Sequence, residues 1–112
     1  MYKVGQGILG RIKLIDGYLP DKDRTYLIVE ISDDVISILN VSSIQGKKRK
    51  VMFRDNYRLK EYNPPFVKPS FVKLDSLTKV TVEEISKNSH ILHSGETLNN
   101  DDMDYILTYI YR

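Results

Sequence analysis

Residues 25–41 read TYLIVEISDDVISILNV, two apolar runs around a short polar break. Thr25–Ile31 and Val35–Val41 are rich in β-branched and aromatic residues, which suit a pleated, half-buried surface. Ser32-Asp33-Asp34 between them is short and polar, as a turn should be. Two strands joined by so short a turn are antiparallel neighbours. On the N-terminal side, Tyr18–Arg24 (YLPDKDR) holds a proline and four charges in seven residues. It reads as a loop that ends in Arg24 and runs straight into the strand.

N-terminal to this loop, Gly7–Ile15 (GILGRIKLI) interleaves Ile8, Ile12 and Leu14 with Arg11 and Lys13, the alternation of a half-buried strand, and Asp16-Gly17 breaks it. After the hairpin, Ser42–Gly46 ends the second strand, and Lys47–Phe53 is basic and reads as extended. Asp55–Pro65 is polar and closes on the breaker Asn63-Pro64-Pro65. Ser70–Leu74 and Leu77–Val82 alternate again, with Asp75-Ser76 as a bend or bulge between them. Glu83–Glu96 reads as polar and irregular, with Ile85, Ile91 and Leu92 as packing points. The end is helical. Asn99 or Asn100 can cap it, and Asp101, Asp102 and Asp104 lie near the positive end of the helix dipole. Met103, Ile106, Leu107 and Ile110 form one apolar face. Five or six short strands followed by one helix predict a small, strongly bent antiparallel sheet or barrel.

The chain of 112 residues fits one domain, 1–112. Without cysteine, it has neither a disulfide framework nor a thiolate metal site. The N-terminal stretch does not read as a signal peptide, and no apolar run approaches the length of a membrane span, so a cytoplasmic protein with no membrane partner is expected. The net charge of +2 hides an asymmetry. Residues 47–60 carry seven basic residues (Lys47, Lys48, Arg49, Lys50, Arg54, Arg58 and Lys60) against Asp55 alone. Residues 83–104 carry six acids against Lys87. Such a split lets a polyanion meet one side of the fold; a solvated basic loop is the plain alternative.

No P-loop, GxGxxG or GxSxG occurs, so phosphate cradles of those kinds and acyl transfer have no sequence support. His90 and His93 in HILH lack neighbouring carboxylates and read as exposed loop histidines. Arg24 can reach a phosphate with a bidentate fork, or pair with Asp21 or Asp23. The hydroxyls of Ser42 and Ser43 can donate to a phosphate oxygen or cap a turn. Lys73 and Asp75, two apart on SFVKLD, share one strand face, which suits proton transfer or an exposed ion pair. Tyr57, Tyr62 and Phe66 can stack on unpaired bases or pack internally.

The order of these pieces carries a resemblance. GRIKLID, a charged loop, Arg24 with TYLIVE, then ILNVSS, KPSFVKLDSLTKV, a glycine-containing stretch and a terminal helix resemble the PemK/MazF toxins of bacterial toxin–antitoxin pairs. The resemblance runs from about Gly10 to the end. It implies a mainly β, SH3-like, partly open barrel with a C-terminal helix, forming a homodimer. It also implies an endoribonuclease that cleaves single-stranded RNA with no metal or other cofactor and is held by a cognate antitoxin. In such a protein the 2′-hydroxyl attacks the adjacent phosphate. By resemblance Arg24 stabilises the pentavalent phosphate, Ser42 stands where the family has threonine, Asp75 is the base, and Lys73 replaces an arginine. Lys47, Lys48, Arg49, Lys50, Arg54 and Arg58 would bind RNA. The family's Arg-Pro is Arg24-Thr25 here, and its Gly-Asp is Gly10-Arg11. A non-catalytic binding module on the same barrel is the alternative. A gyrase-poisoning branch also shares the fold, but residues 105–111 do not resemble its helix motif.

Overall fold

The computed structural model describes residues 1–44 and 55–112. Seven strands form one antiparallel, open sheet: β1 (Gly7–Gly10), β2 (Arg24–Ser32), β3 (Val35–Ser43), β4 (Asn56–Arg58), β5 (Ser70–Lys73), β6 (Thr78–Thr81) and β7 (Ser89–Ile91). Helix α1 (Val82–Asn88) follows β6, a 3-10 turn spans His93–Gly95, and α2 (Asn100–Tyr111) ends the chain. The strand order is β4-β5-β3-β2-β1-β7. Strand β3 also pairs with β6, so β5 and β6 lie end to end along it: β5 against Val41–Ser43, β6 against Val35–Ile38. Among the described residues no helix is long and apolar enough to cross a membrane.

The predicted hairpin forms, with Asp33 at φ 53° in its turn. Alternation along β2 and β3 then divides the core. Leu27, Val29, Leu39, Val41, Val72 and Leu74 face one side, where Met103 and Ile106 of α2 pack on them. Ile8, Tyr26, Ile28, Ile36, Ile38 and Val80 face the other, with Ile12 and with Ile85 of α1. The first is the α2 face and the second the α1 face. A bulge between Ile28 and Glu30 shifts the ladder by one residue before the hairpin turn.

The expected apolar stripe of the last helix is the face that docks. Asn99 caps this helix by accepting from the Asp102 N–H (2.9 Å). Asp102 itself is fully buried. Its carboxylate accepts from the Tyr57 hydroxyl (2.6 Å), the Asn99 amide (2.9 Å) and the Lys60 backbone N–H (3.3 Å). Tyr57 also stacks on Tyr105 of α2, with ring centroids 4.3 Å apart. The helix is therefore clamped to β4 at its N-terminal end by one carboxylate and one ring pair. Near the other end the Tyr111 hydroxyl donates to Glu30 at 2.9 Å.

Three expectations are corrected. Strand β1 stops at Gly10; beyond it Ile12 still packs in the core, while Leu14 and Ile15 donate to the carbonyls of Tyr18 and Lys79. Residues 83–96 are not irregular. Thr81 caps α1 by accepting from the Glu84 N–H (3.1 Å), and β7 follows at once. Asp55–Pro65 contains the short strand β4.

Removing the Asp102 carboxylate leaves the Tyr57 hydroxyl and the Lys60 N–H without their acceptor. Asp102→Ala is expected to cost about 2–4 kcal/mol by urea denaturation, and Asp102→Asn less. Burial, then the hydrogen bond and charge of Asp102, raises the Tyr57 hydroxyl pKa well above its usual 10.0. That contribution is full below the unfolded pKa and is lost as pH rises, because the unfolded chain ionises first. Stability should fall above about pH 10, and more gently in Tyr57→Phe, as followed by thermal denaturation across that range.

Candidate functional site

The register of the strands assembles the site. Thr25 pairs with Val41 at the end of the β2–β3 ladder, and Arg24 and Ser42 are the next residues beyond that pair. Ser42 pairs with Phe71, and Phe71 with Arg58. Directly opposed residues project from the same side of a sheet. Arg24, Ser42, Phe71 and Arg58 therefore form one row across four strands on the α1 face. The next row on that face contains Tyr26, Asn40, Lys73 and Asn56. Burial pushes the Tyr26 hydroxyl pKa up, while the positive charge of Arg24 pulls it down, so the two lie within electrostatic reach.

Strand spacing gives the scale. Arg24 and Ser42 are ~5 Å apart at the backbone, and Lys73 is one strand over and ~7 Å along. Arg58 is three strands from Arg24, ~14 Å at the backbone. The Arg24 side chain is 43% exposed, and its guanidinium meets Asp21 at 3.2 Å. Asp21 is itself 84% exposed, so the pair contributes little and an arriving phosphate can displace it. Arg58 is exposed and donates to the Tyr62 hydroxyl at 2.8 Å.

Asp75 does not follow the strand pattern. Strand β5 ends at Lys73, and Leu74-Asp75 turns away. The Ser76 hydroxyl holds this turn by donating to the Lys73 carbonyl (2.6 Å) and accepting from the Asn40 N–H (2.8 Å). Asp75 is exposed at the turn rather than beside Lys73 on one strand face. Tyr57 and Phe66 pack against or within the core, which leaves only Tyr62 of the three ring candidates exposed. Lys47, Lys48, Arg49, Lys50 and Arg54 lie outside the described residues. Among the described residues no three His, Asp or Glu side chains cluster as a metal site requires.

Sequence reasoning missed Tyr26, Asn40 and Asn56 as neighbours of the site. Alternation from Arg24 identifies Tyr26; the other two need the register. It also missed a shallow recess at the same strand ends, on the α2 face, between Ser43, Ser70 and the 3-10 turn. In that turn His93 (φ 48°) and Ser94 (φ 58°) both sit in the left-handed region, a conformation that costs non-glycine residues about 1–3 kcal/mol each. Buried Gln6 holds the turn: its amide donates to the Gly95 carbonyl (3.1 Å), and its oxygen accepts from the Lys3 N–H (2.8 Å).

No family model and no curated protein sequence matches the chain.

Gly10 positions this end of the sheet. It pairs with Arg24 on one side and Ser89 on the other. A Cβ there would meet the Asn88 carbonyl, and the Ser89 Cα at 2.6 Å. Gly10→Ala is expected to push β7 from β1 and destabilise the fold by about 1–3 kcal/mol, measured as a lowered urea midpoint at unchanged slope.

Proposed function

We propose that this chain is the toxin of a bacterial toxin–antitoxin pair and cleaves single-stranded RNA, on an SH3-like, partly open barrel of the PemK/MazF kind. One observation carries the reading: Arg24, Ser42 and Lys73 share one side of the sheet in adjacent rows. The resemblance names those residues, and their shared side of the sheet supports the reading.

The chemistry these residues support is transesterification. The 2′-oxygen bonds to the adjacent phosphorus as the bond to the 5′-oxygen breaks, giving a 2′,3′-cyclic phosphate and a 5′-hydroxyl. One proton leaves the 2′-hydroxyl and one reaches the departing 5′-oxygen. Arg24 can fork onto the non-bridging oxygens and Ser42 can donate to one of them, both acting where charge builds. Lys73 adds positive charge or a proton from the neighbouring row. Asp75 serves as base by reaching back from its turn. Arg58 takes a different phosphate of the same strand, and Tyr62 beside it offers a ring for an unpaired base. A cognate antitoxin, a homodimeric state and a cytoplasmic location belong to the same proposal.

A second reading is a nucleic-acid-binding module without catalysis. The position of Asp75 in a turn, off the row of the cations, favours it.

Single-stranded RNA incubated with purified protein in EDTA separates the two. Cleavage is expected, with products ending in cyclic phosphate. Arg24→Ala should lower the rate about 10²–10³-fold, and Arg24→Lys should recover only part of it, since lysine keeps the charge and loses the fork. Intact RNA at high protein concentration, together with salt-sensitive binding, would instead establish the binding module.

A further inference from the structure

We infer that the recess at the Ser43–Ser70 strand ends takes one unpaired RNA base and so selects the nucleotide beside the cleaved bond. This rests on the RNA-cleaving reading and deepens it.

The recess has a volume of about 330 Å³, at the lower end of the range for small-ligand pockets and enough for a single flat ring. Its inner wall is apolar, formed by Val41, Phe66 and Leu92. Its rim is polar, with Thr25 and Ser43 among the groups that can bond a base edge, and Lys68 and His93 at the mouth; the buried Ser70 hydroxyl donates to the Lys68 carbonyl (2.8 Å) and keeps acceptor capacity. An apolar wall under a few convergent polar groups is the lining that binds a nucleobase by its face and reads it by its edge.

Its position relative to Arg24 and Ser42 gives the recess its occupant. Successive residues of a strand project to opposite faces. Arg24 and Ser42 therefore project toward the phosphate row, while the next residues, Thr25 and Ser43, project toward the recess, which Ser42 also borders. Ser43 pairs with Ser70, which sets the far side. The two sites adjoin at the same strand ends, where Ser42 borders both. Ser43, Lys68 and His93 are exposed there, so a chain crossing the strand ends meets no cover from these residues. A nucleotide whose phosphate rests on Arg24 and Ser42 can turn its base over the ends into the recess. The wall residue Val67 is 46% exposed, so its side chain can be enlarged without entering the core.

Two measurements test this. The four nucleoside 5′-monophosphates are titrated to millimolar concentration into the full ¹⁵N-labelled chain. At least one should move the backbone amides of Val67, Ser70 and His93, and Val67→Trp should abolish the movement. Randomised RNA is then cleaved by wild type, Val67→Trp and His93→Ala, with amide spectra checking that each variant is folded. Preference at one position beside the scissile bond should weaken at least about fivefold in Val67→Trp, and in the same direction in His93→Ala. Unmoved amides overturn the inference, and so does a sequence preference that neither variant changes. If wild type cleaves nothing, the RNA-cleaving reading fails, and the titration alone decides whether the recess binds a base.

Discussion

Strand β3 is paired along both of its sides, and the rest of the structure hangs on that arrangement. One side carries the β2 ladder; the other carries β6 and then β5, in line. Because side chains alternate, a slip of one residue in any of these ladders would exchange the two faces. Isoleucines would leave the α1 core, and Arg24 would move to the α2 face. The core therefore fixes the register, and the register fixes the site. Ile28 opposite Ile38 and Leu27 opposite Leu39 lock the same ladder that brings Arg24 to Ser42. The bulge near Val29 lies beyond the locked pairs, toward the hairpin turn, so its shift does not reach the site.

Helix α2 supports this frame from behind. Its apolar face closes the α2-side core, but its attachment at the N-terminal end is polar, through fully buried Asp102. A buried carboxylate is tolerable only when its oxygens are occupied, and here three donors serve it. The clamp acts on Tyr57 and Lys60, which bracket Arg58. The position of Arg58 in the site row thus depends on a contact made on the opposite side of β4.

How far these features are legible in the sequence depends on their range. The hairpin is legible because both strands are long and apolar and the turn is short. The last helix is legible because Asn99 caps a clean apolar periodicity. Helix α1 is not, because it has seven residues and only Ile85 is buried. Strands β4 and β7, with three residues each, are too short for alternation to register. The site divides in the same way. Arg24 at a strand entrance, and Tyr26 two residues on, follow from local pattern. The alignment of Ser42 with Phe71, or of Val41 with Val72, joins segments about thirty residues apart and depends on tertiary pairing. The alternation of SFVKLD suggests a continuing strand, but Ser76 bonds to the Lys73 carbonyl and the Asn40 N–H, and so turns the chain at Leu74.

That turn bears on the proposed chemistry. The row offers positive charge and a hydroxyl donor, the groups that stabilise a phosphorane, and such stabilisation is usually the largest catalytic contribution. General-base assistance is smaller, about 10²–10⁴-fold, and needs a carboxylate within hydrogen-bond reach of the 2′-hydroxyl. The two functions sit on different parts of the fold here. Arg24 and Ser42 are fixed by strands, whereas Asp75 rides on a turn pinned by a serine. In the proposed reaction, a site built this way would bind and polarise phosphate through its rigid part. Proton removal by Asp75 in that reaction would depend on the turn that Ser76 pins. Within the proposed reaction, the resemblance to PemK/MazF toxins and the geometry therefore bear most strongly on the same two side chains, Arg24 and Ser42.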